Sequence, residues 1–523
     1  MTNVWILVRL ALRRDRVLIP AWVFGLGAAV ALTASSYSEL YANAAERREV
    51  VATLGRTPAT LALYGRIYDD SIGALVAWRL GGIALALAGL MSILIVVRHT
   101  RAEEETGRAE LVGAGVVGRH APLAAALITV AIADVALGAV VALAVVAVGL
   151  GASGALALGL VFALVGLTFA AVAAIAAQLT RTARAANGIA VAALGAAFGL
   201  RAIGDAGPHW LAWLSPLGWG QAVRAYAGER WWILAALAAL AAVLVGVAVS
   251  LAARRDLGAG LLPPRRGPAH GALGTPLALA WRLQRGALAG WAAGFTILGA
   301  AFGSIAQDID DVIGDSPEVR DALRRLGGAE SLADAYLAAT LQILALIAAG
   351  YAVAATLRLR AEESSGRAEP LLATAVSRTR WALGHAAVAL GGTATLLFAA
   401  GLAGGAAHAL QTGDAGQLPR VLAAALAQVP AAWVLAGLAL ALFGLAPRAV
   451  TAAWAALAAF LALGQLGPVL ELSQSVVDLS PFAHSPQLPG GTTTLAPLWL
   501  TTLAAALAAA GLTGLRHRDI GAT

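Results

Sequence analysis

The sequence contains no cysteine and no lysine, and only 12% of its 523 residues are charged. Without cysteine there is no disulfide framework, thiolate metal site or thiol nucleophile. Without lysine there is no P-loop lysine, no kinase-type strand lysine and no Schiff-base lysine. The sequence also offers no HExxH motif, no GxSxG set with partner residues and no paired carboxylates within an apolar run. We therefore predict no catalytic residues, no metal site and no cofactor bound by this chain.

The residues that are present are mostly apolar. Hydrophobic residues make up 60% of the chain, and its mean hydropathy is +0.79. An ordinary soluble domain does not expose this much apolar surface, so we predict an integral membrane protein. The net charge of +7 comes from arginines in short segments between long apolar runs. Positive charge in such segments sets membrane orientation, so we predict contact with lipid and none with nucleic acid.

Twelve apolar stretches are long enough to cross a bilayer, which takes about 20 residues in a helix. They divide into two sets of six, so we predict an all-α fold with twelve transmembrane helices. The stretches are 17–37, 73–97, 122–149, 154–179, 187–204, 231–252, 287–306, 335–357, 381–409, 420–445, 449–470 and 495–514.

Arginines follow the alternation that this count requires. They gather before the first stretch, between the second and third, between the fourth and fifth, and after the sixth. The loop at 471–494 has Glu471 and Asp478 but no arginine, whereas the C-terminal tail has Arg516 and Arg518. Because arginine is enriched in cytoplasmic loops, we predict that both termini lie in the cytoplasm.

The two halves of the chain repeat one another. The decapeptide Arg101-Ala-Glu-Glu-Glu-Thr-Gly-Arg-Ala-Glu110 returns as Arg360-Ala-Glu-Glu-Ser-Ser-Gly-Arg-Ala-Glu369, identical at eight of ten positions. Each copy follows the second apolar stretch of its half. An even number of helices per copy gives both copies the same orientation. We predict a first half over 1–257, a proline-rich cytoplasmic linker over 258–276 and a second half over 277–523.

Further echoes keep the same order in both halves. Leu214-Ser-Pro216 matches Leu479-Ser-Pro481, and Arg255-Asp-Leu-Gly258 matches Arg518-Asp-Ile-Gly521. The segment at about 2–16 carries apolar residues on one side and arginines on the other. It is interpreted either as an amphipathic helix in the membrane interface or as the positive flank of the first span.

The repeated decapeptide is the strongest candidate for a functional site. Glu104 with Arg108, and Glu363 with Arg367, are four residues apart, so a helical turn would pair them. The remaining acids, Glu103, Glu110, Glu362 and Glu369, would stay free. Gly107 and Gly366 would mark a bend or a close approach. Because both halves carry the element, we predict a docking surface for a cytosolic protein; a solvated loop whose charges satisfy one another is the alternative.

The sequence resembles the ABC-2 type permeases of ABC transporters, in particular the duplicated twelve-span, tetronasin-type exporters of actinobacterial polyketide antibiotics and drugs. The resemblance rests on Glu-Glu-x-x-Gly-Arg-x-Glu in each half, on Ser215-Pro-Leu-Gly-Trp219 and on Arg-Asp-[Leu/Ile]-Gly at the end of each half. It covers essentially the whole chain. The second half departs from it at Ser480-Pro-Phe-Ala-His484.

This resemblance implies a type V exporter-like fold in the bacterial plasma membrane. The segment at 2–16 would be the connecting helix, and 98–121 and 358–380 would hold the coupling loops that meet an ATPase. Because this chain has no P-loop lysine, a separate subunit would bind ATP and Mg. Two copies of one ATPase are expected; a heterodimeric pair is the alternative. The coupling residues would be Glu103, Glu104, Gly107, Arg108, Glu110, Glu362, Glu363, Gly366, Arg367 and Glu369.

The resemblance also implies a route and an outer gate for hydrophobic or amphipathic substrates. The route would follow the second and fifth helices of each half, with Trp78, Met91, Asn187, Phe198, Tyr351, Trp454, Phe460 and Gln465. The outer loop would use Ser215, Pro216, Trp219, Ser480 and Pro481.

One ionisable residue, Asp134, falls in the middle of a predicted span. Its counterpart in the second half is the neutral Thr393. Such an acid is paired, protonated or in contact with substrate. It is also the only group that would suit the alternative function, an ion-coupled secondary transporter with a 6+6 repeat.

Overall fold

A computed structural model describes residues 3–55, 58–256, 258–262, 274–313, 332–466, 473–491 and 495–519. Side chains at 53–54, 58–59, 307–313, 332 and 464–466 lie outside this description. The described residues form helices and loops without a strand. The chain divides into two compact units, Met1–Arg266 and Gly267–Thr523, each with an apolar core of its own. This division falls inside the stretch 258–276 that the sequence marks as a linker.

The first unit contains thirteen described α-helices and one 3-10 helix, His209–Leu214. The α-helices are α1 Val4–Arg14, α2 Leu18–Leu40, α3 Ala44–Leu54, α4 Pro58–Tyr64, α5 Ile72–Leu80, α6 Ile83–His99, α7 Arg101–Glu105, α8 Arg108–Gly113, α9 Ala121–Ala147, α10 Ala152–Leu179, α11 Ala183–Ala206, α12 Pro216–Ala222 and α13 Trp231–Ala253.

The second unit contains ten α-helices in its described part, with 3-10 turns at Pro447–Ala449 and Pro481–His484. The α-helices are α14 Pro276–Ile313, α15 Leu332–Thr356, α16 Arg358–Ser364, α17 Ala368–Leu372, α18 Arg378–Thr412, α19 Gln417–Ala427, α20 Val429–Leu445, α21 Ala452–Leu466, α22 Gln474–Val477 and α23 Ala496–His517.

Eleven helical segments among the described residues are long and apolar enough to cross a membrane. They account for eleven of the twelve predicted spans. The remaining one, predicted at 449–470, contains a shorter apolar helix, Ala452–Leu463, and its residues 467–470 lie outside the described residues. The chain is thus an all-helical, multi-pass membrane protein, and its twelfth span stays a prediction.

Two predicted spans are not single helices. The stretch 73–97 is divided at Gly81 and Gly82, because Gly82 leaves the helical conformation and lies against the backbone of Leu63, where a side chain has no room. The stretch 420–445 is divided at Gln428, two residues before Pro430, which has no N–H to donate to the preceding turn. A hydropathy profile does not show either break, because most residues on both sides of each break are apolar.

The segment before the first predicted span is arranged differently in the two units; in the second unit it carries Arg282 and Arg285 where the first unit carries Arg13 and Arg16. In the first unit it forms the separate helix α1, whose Val4 and Val8 are buried against Ala121 and Ala125. Trp5, Ile6 and Leu10 of the same helix are exposed by 57–71%. In the second unit the matching segment is continuous with the first span in α14. Helix α1 therefore has one apolar side on the protein and another free to contact lipid.

Close helix packing depends on glycine in both units. A Cβ on Gly138 would meet the carbonyl of Gly159 in the facing helix, and one on Gly303 would meet that of Gly404. Small residues let helix backbones approach within van der Waals contact, which drives association where lipid removes the hydrophobic contribution. This explains how so many of the 59 glycines can lie in helices.

Candidate functional site: the two repeated charged loops

The repeated decapeptide folds the same way in both units. Helices α7 and α8 in the first unit, and α16 and α17 in the second, are pairs of short helices with a glycine between them. Gly107 has φ +73° and Gly366 has φ +70°, a left-handed conformation that favours glycine. The bend predicted at these two glycines is therefore present in each loop.

The predicted ion pairs within these loops are wrong. Arg108 pairs with Glu103 rather than Glu104, with Nε and Oε2 2.8 Å apart. Arg367 pairs with Glu362 rather than Glu363, at the same distance. A pairing four residues apart needs a continuous helix. Here the glycine ends the first short helix and turns the second, which brings the arginine back over the acid five residues earlier.

The acids left over, Glu104 and Glu363, each bind an arginine near the end of their own half. Glu104 accepts two hydrogen bonds from Arg255, at 2.8 Å and 2.5 Å. Glu363 accepts two from Arg518, both at 2.8 Å. Such bidentate pairs are the strongest class of charge-assisted hydrogen bond in proteins. The decapeptide and the Arg-Asp-[Leu/Ile]-Gly motif, about 150 residues apart in the chain, thus form one site in each unit.

The first residue of the decapeptide anchors the loop to the helix bundle. Arg101 is fully buried, and its guanidinium donates to the carbonyl of Ala177 at the end of α10. It also donates to the carbonyl of Ala259 and forms an ion pair with Glu104. In the second unit, Arg360 lies 3.6 Å from Glu363. The buried guanidinium of Arg101 is tolerated because backbone carbonyls and the carboxylate of Glu104 surround it.

Only part of the loop's charge faces outward. Glu103 also binds Arg14 of helix α1, and Glu362 also binds Arg358. Glu110 and Glu369 are exposed and form no ion pair within the described part of the chain. The exposed surface of each loop therefore combines an acid with Arg108 or Arg367, and the first loop also exposes Glu105, which accepts a hydrogen bond from the backbone N–H of Ala183. A partner would meet these exposed residues, whereas Glu103, Glu104, Glu362 and Glu363 bind arginines of their own unit.

A cavity of about 310 Å³ lies beside the first loop. Its walls come from α1, α7, α8, α9 and the end of α13, with Leu7 and Leu123 on the apolar side and Arg119 and His120 on the polar side. Helix α1 closes one side of it, so the cavity depends on α1 being separate from the first span.

The predicted route residues occupy different surroundings. In the first unit Trp78 and Met91 are buried, and Asn187 and Phe198 are half-buried on α11. The Trp78 indole donates to the carbonyl of Gly65 at 2.8 Å. In the second unit Tyr351 is buried beside Trp291, Trp454 is 44% exposed and Phe460 is half-buried. The side chain of Gln465 lies outside the described residues. Their role in a substrate route stays a prediction.

The outer motif forms a helix start in the first unit. The Ser215 hydroxyl accepts from the backbone N–H groups of Leu217 and Gly218, and Pro216 begins helix α12. This is the usual N-cap arrangement. The Trp219 indole donates to the carbonyl of Trp213 at 2.6 Å. In the second unit Ser480 makes no cap bond, and Pro481 begins only a 3-10 turn. The sequence departure at this loop therefore has a structural counterpart.

Asp134 is enclosed inside the first unit. It is fully buried, and the Ser92 hydroxyl donates to its Oδ1 at 2.7 Å. A Cβ on Gly166 would meet the same oxygen, so this glycine provides the space for the carboxyl group. The counterpart Thr393 donates to the carbonyl of Ala389 in its own helix. Of the three interpretations of Asp134, a local polar contact between helices is the one with a visible partner.

Four arginines of the site, Arg119, Arg255, Arg378 and Arg518, were not predicted from the sequence to contact the loops. Arg119 donates to the carbonyls of Ala253 and Arg255, both at 3.1 Å. Arg378 donates to the carbonyl of Arg518 at 2.6 Å. The one signal for Arg255 and Arg518 is that the motif recurs at the end of each half. Repetition marked these positions, but it does not reveal which residues they contact.

Long apolar helices with a charged loop that occurs twice define a multi-pass membrane protein. Comparison with known proteins identifies its family. The chain is 45% identical over 519 residues to the multidrug efflux system permease protein Rv1217c of Mycobacterium tuberculosis (strain ATCC 25618 / H37Rv), covering 98% of this chain and 94% of the relative. Residues 273–516 match the family model described as multidrug efflux system permease Rv1217c, C-terminal domain. The chain belongs to this family of efflux-system permeases.

Proposed function

We propose that this permease is the membrane subunit of an ATP-driven exporter of the ABC-2, tetronasin type. It moves hydrophobic or amphipathic small molecules, such as antibiotics or drugs, out of the cell across the bacterial plasma membrane. The twelve-span arrangement in two like-oriented halves, with both termini in the cytoplasm, belongs to this proposal. The observation that supports it most is the loop at 101–110 and 360–369, which has the same fold and the same two kinds of ion pair in both units.

In this proposal each loop docks one ATPase subunit, and two copies of one subunit bind the ATP and Mg. Two surfaces of the same fold, each with an arginine and an acid exposed at the same positions, favour two identical partners. The docking face would include Arg108 and Glu110 in the first loop and Arg367 and Glu369 in the second, because these side chains are exposed at matching positions; Glu105 is exposed in the first loop only. Mixed charge on a small rigid surface gives orientation and specificity to a complex.

Charge reversal on both loops tests the docking role. We expect Glu110→Arg and Glu369→Arg each to lower the amount of ATPase that co-purifies with the permease by about half, and the double variant to lose it, since like charges now face the partner. The measurement is the ATPase-to-permease ratio after purification in mild detergent. Glu46→Arg is the matched control, because Glu46 is exposed on α3, far from the loops in sequence.

Two results would contradict the proposal. One is a double variant that retains its ATPase as well as the unmodified chain does. The other is solute flux in proteoliposomes of the chain alone that follows an ion gradient and ignores ATP, which would indicate the secondary transporter instead.

A further inference from the structure

Each loop is joined to the last helix of its own unit by a set of three residues. The set, here called the end clamp, consists of Glu104, Arg119 and Arg255 in the first unit and Glu363, Arg378 and Arg518 in the second. In both units the acid accepts two hydrogen bonds from the arginine that follows the last helix, Arg255 or Arg518. The other arginine, Arg119 or Arg378, donates to the backbone carbonyl of that same residue. The same contacts therefore occur twice, in two separately folded parts of the chain.

The acid–arginine pair of each end clamp is largely buried, unlike most surface ion pairs, whereas Arg119 is exposed and Arg378 is half-buried. The side chains of Glu104 and Arg255 are 11% and 9% exposed, and those of Glu363 and Arg518 are 2% and 13% exposed. An exposed pair contributes little, whereas removing one partner of a buried pair leaves an uncompensated charge. The pair consequently fixes the loop to the end of the last helix, because its hydrogen bonds are not readily replaced by hydrogen bonds to water.

The last helix of each unit is held at its C-terminal carbonyls, which have no partner within the helix. Arg119 binds the carbonyls of Ala253 and Arg255 at the end of α13. Arg378 binds those of Arg516 and Arg518 at the end of α23. Cations at a helix C-terminus are also favoured by the helix dipole. Loop and helix end are thus connected through both side chain and backbone.

A continuous series of contacts runs from the exposed docking face to the last helix. Glu110 lies on the same short helix as Arg108, and Arg108 binds Glu103 on the preceding short helix. That helix also carries Glu104, which binds Arg255. The second loop repeats these steps from Glu369 to Arg518. In the first unit Arg255 also donates to Gln178 at the end of α10, at 2.6 Å.

We infer that the end clamp makes each loop and the last helix of its unit move as one body, so that the force of a docked ATPase reaches that helix. This inference rests on the proposed function. Arg255 and Arg518 are assigned as positioning residues, because their side chains bind the loops and they would act through them. Their loss leaves the docking face intact and disconnects it from the helix.

The experiment uses the full-length permease with its co-purified ATPase in proteoliposomes. In Arg255→Ala/Arg518→Ala we expect normal co-purification and continued ATP hydrolysis, whereas ATP-driven movement of ethidium per ATP hydrolysed falls about tenfold or more, as expected when the coupling between two sites is lost. The Lys double variant should fall in between, because lysine keeps the charge but not the bidentate geometry. Arg254→Ala/His517→Ala is the matched control, since these neighbours are exposed.

The outcomes separate the inference from the proposed function. If no ATPase co-purifies with the unmodified chain, the proposed function fails. If the ATPase co-purifies and the alanine double variant moves ethidium with unchanged efficiency, the inference alone is wrong. Loss of the ATPase from that variant would also overturn it, because the clamp would then shape the docking face instead of transmitting force. If the alanine variant does not fold, the lysine variant decides between the same outcomes.

Discussion

At the scale of single residues, two buried acids in the first unit have opposite surroundings. Asp205 lies beside the fully buried Arg201, with Oδ2 and Nη1 3.7 Å apart, and beside Arg66 at 4.0 Å. Asp134 has a hydroxyl partner, Ser92, and its Oδ2 has no hydrogen-bond partner among the described residues. The carboxylate of Asp205 compensates the positive charge of the buried Arg201. Asp134 has no arginine beside it in the described structure, so its carboxyl group compensates no buried charge there.

The two acids should therefore respond differently to the same substitution. Asp205→Asn leaves Arg201 buried without its counter-charge, and we expect a loss of about 3–5 kcal/mol of stability. Asp134→Asn keeps an acceptor for Ser92, and we expect transport and stability close to those of the unmodified chain. Thermal unfolding of the purified protein in detergent measures both effects. An Asp134→Asn variant that folds but loses transport would instead point to ion coupling through this residue.

At the scale of helices, the sequence predicted where the apolar elements lie but not how they pack. Periodic hydropathy is a local property, so the positions of α2, α9, α10 and α13 follow from it closely. The packing between helices depends on where small residues meet. In the second unit Gly299 and Gly303, four residues apart on α14, face Ala400 and Gly404 on α18. This is the small-xxx-small arrangement that allows two membrane helices to touch.

A single added methyl group tests this packing. Gly303→Ala would place a Cβ against the backbone of Gly404, and we expect a loss of about 1–3 kcal/mol from overpacking. Gly290→Ala on the same helix is the control, since Gly290 is exposed with open space around it. Alanine there should be neutral or stabilising, because glycine lowers helix stability by roughly 0.5–1 kcal/mol. Equal unfolding temperatures for both variants would show that α14 and α18 do not pack in this way.

At the scale of the whole molecule, cysteine labelling determines on which side of the membrane each loop lies. The chain has no cysteine, so each introduced cysteine is the only labelling site. Thr106→Cys lies in the first loop, and Ser153→Cys lies in the first turn of α10; both positions are exposed.

Because arginine-rich loops face the cytoplasm, we expect a membrane-impermeant maleimide to label Ser153→Cys in intact cells and Thr106→Cys only after the cells are opened. The unmodified chain controls for background labelling. The reverse pattern would invert the proposed orientation and would place the loops out of reach of a cytosolic ATPase.

The candidate site divides in the same way between local and non-local information. The repeated acids and the bend at Gly107 and Gly366 follow from short motifs read along the chain. The partners of those acids do not follow from the motifs. Helical spacing favours a pair between Arg108 and Glu104, whereas the turn at the glycine places Arg108 beside Glu103. Arg255 and Arg518 were recognisable as repeats, but their contact with the loops depends on the return of the last helix to the same end of its unit.

The sequence by itself determined that this is a helical membrane protein and that its charged loop occurs twice, because hydropathy, composition and repeated motifs can be read along the chain. Only the tertiary structure decided which charges meet, where apolar helices break and which acids remain exposed. Those features depend on the approach of segments up to about 150 residues apart, and on the space that a glycine or a carbonyl leaves between them.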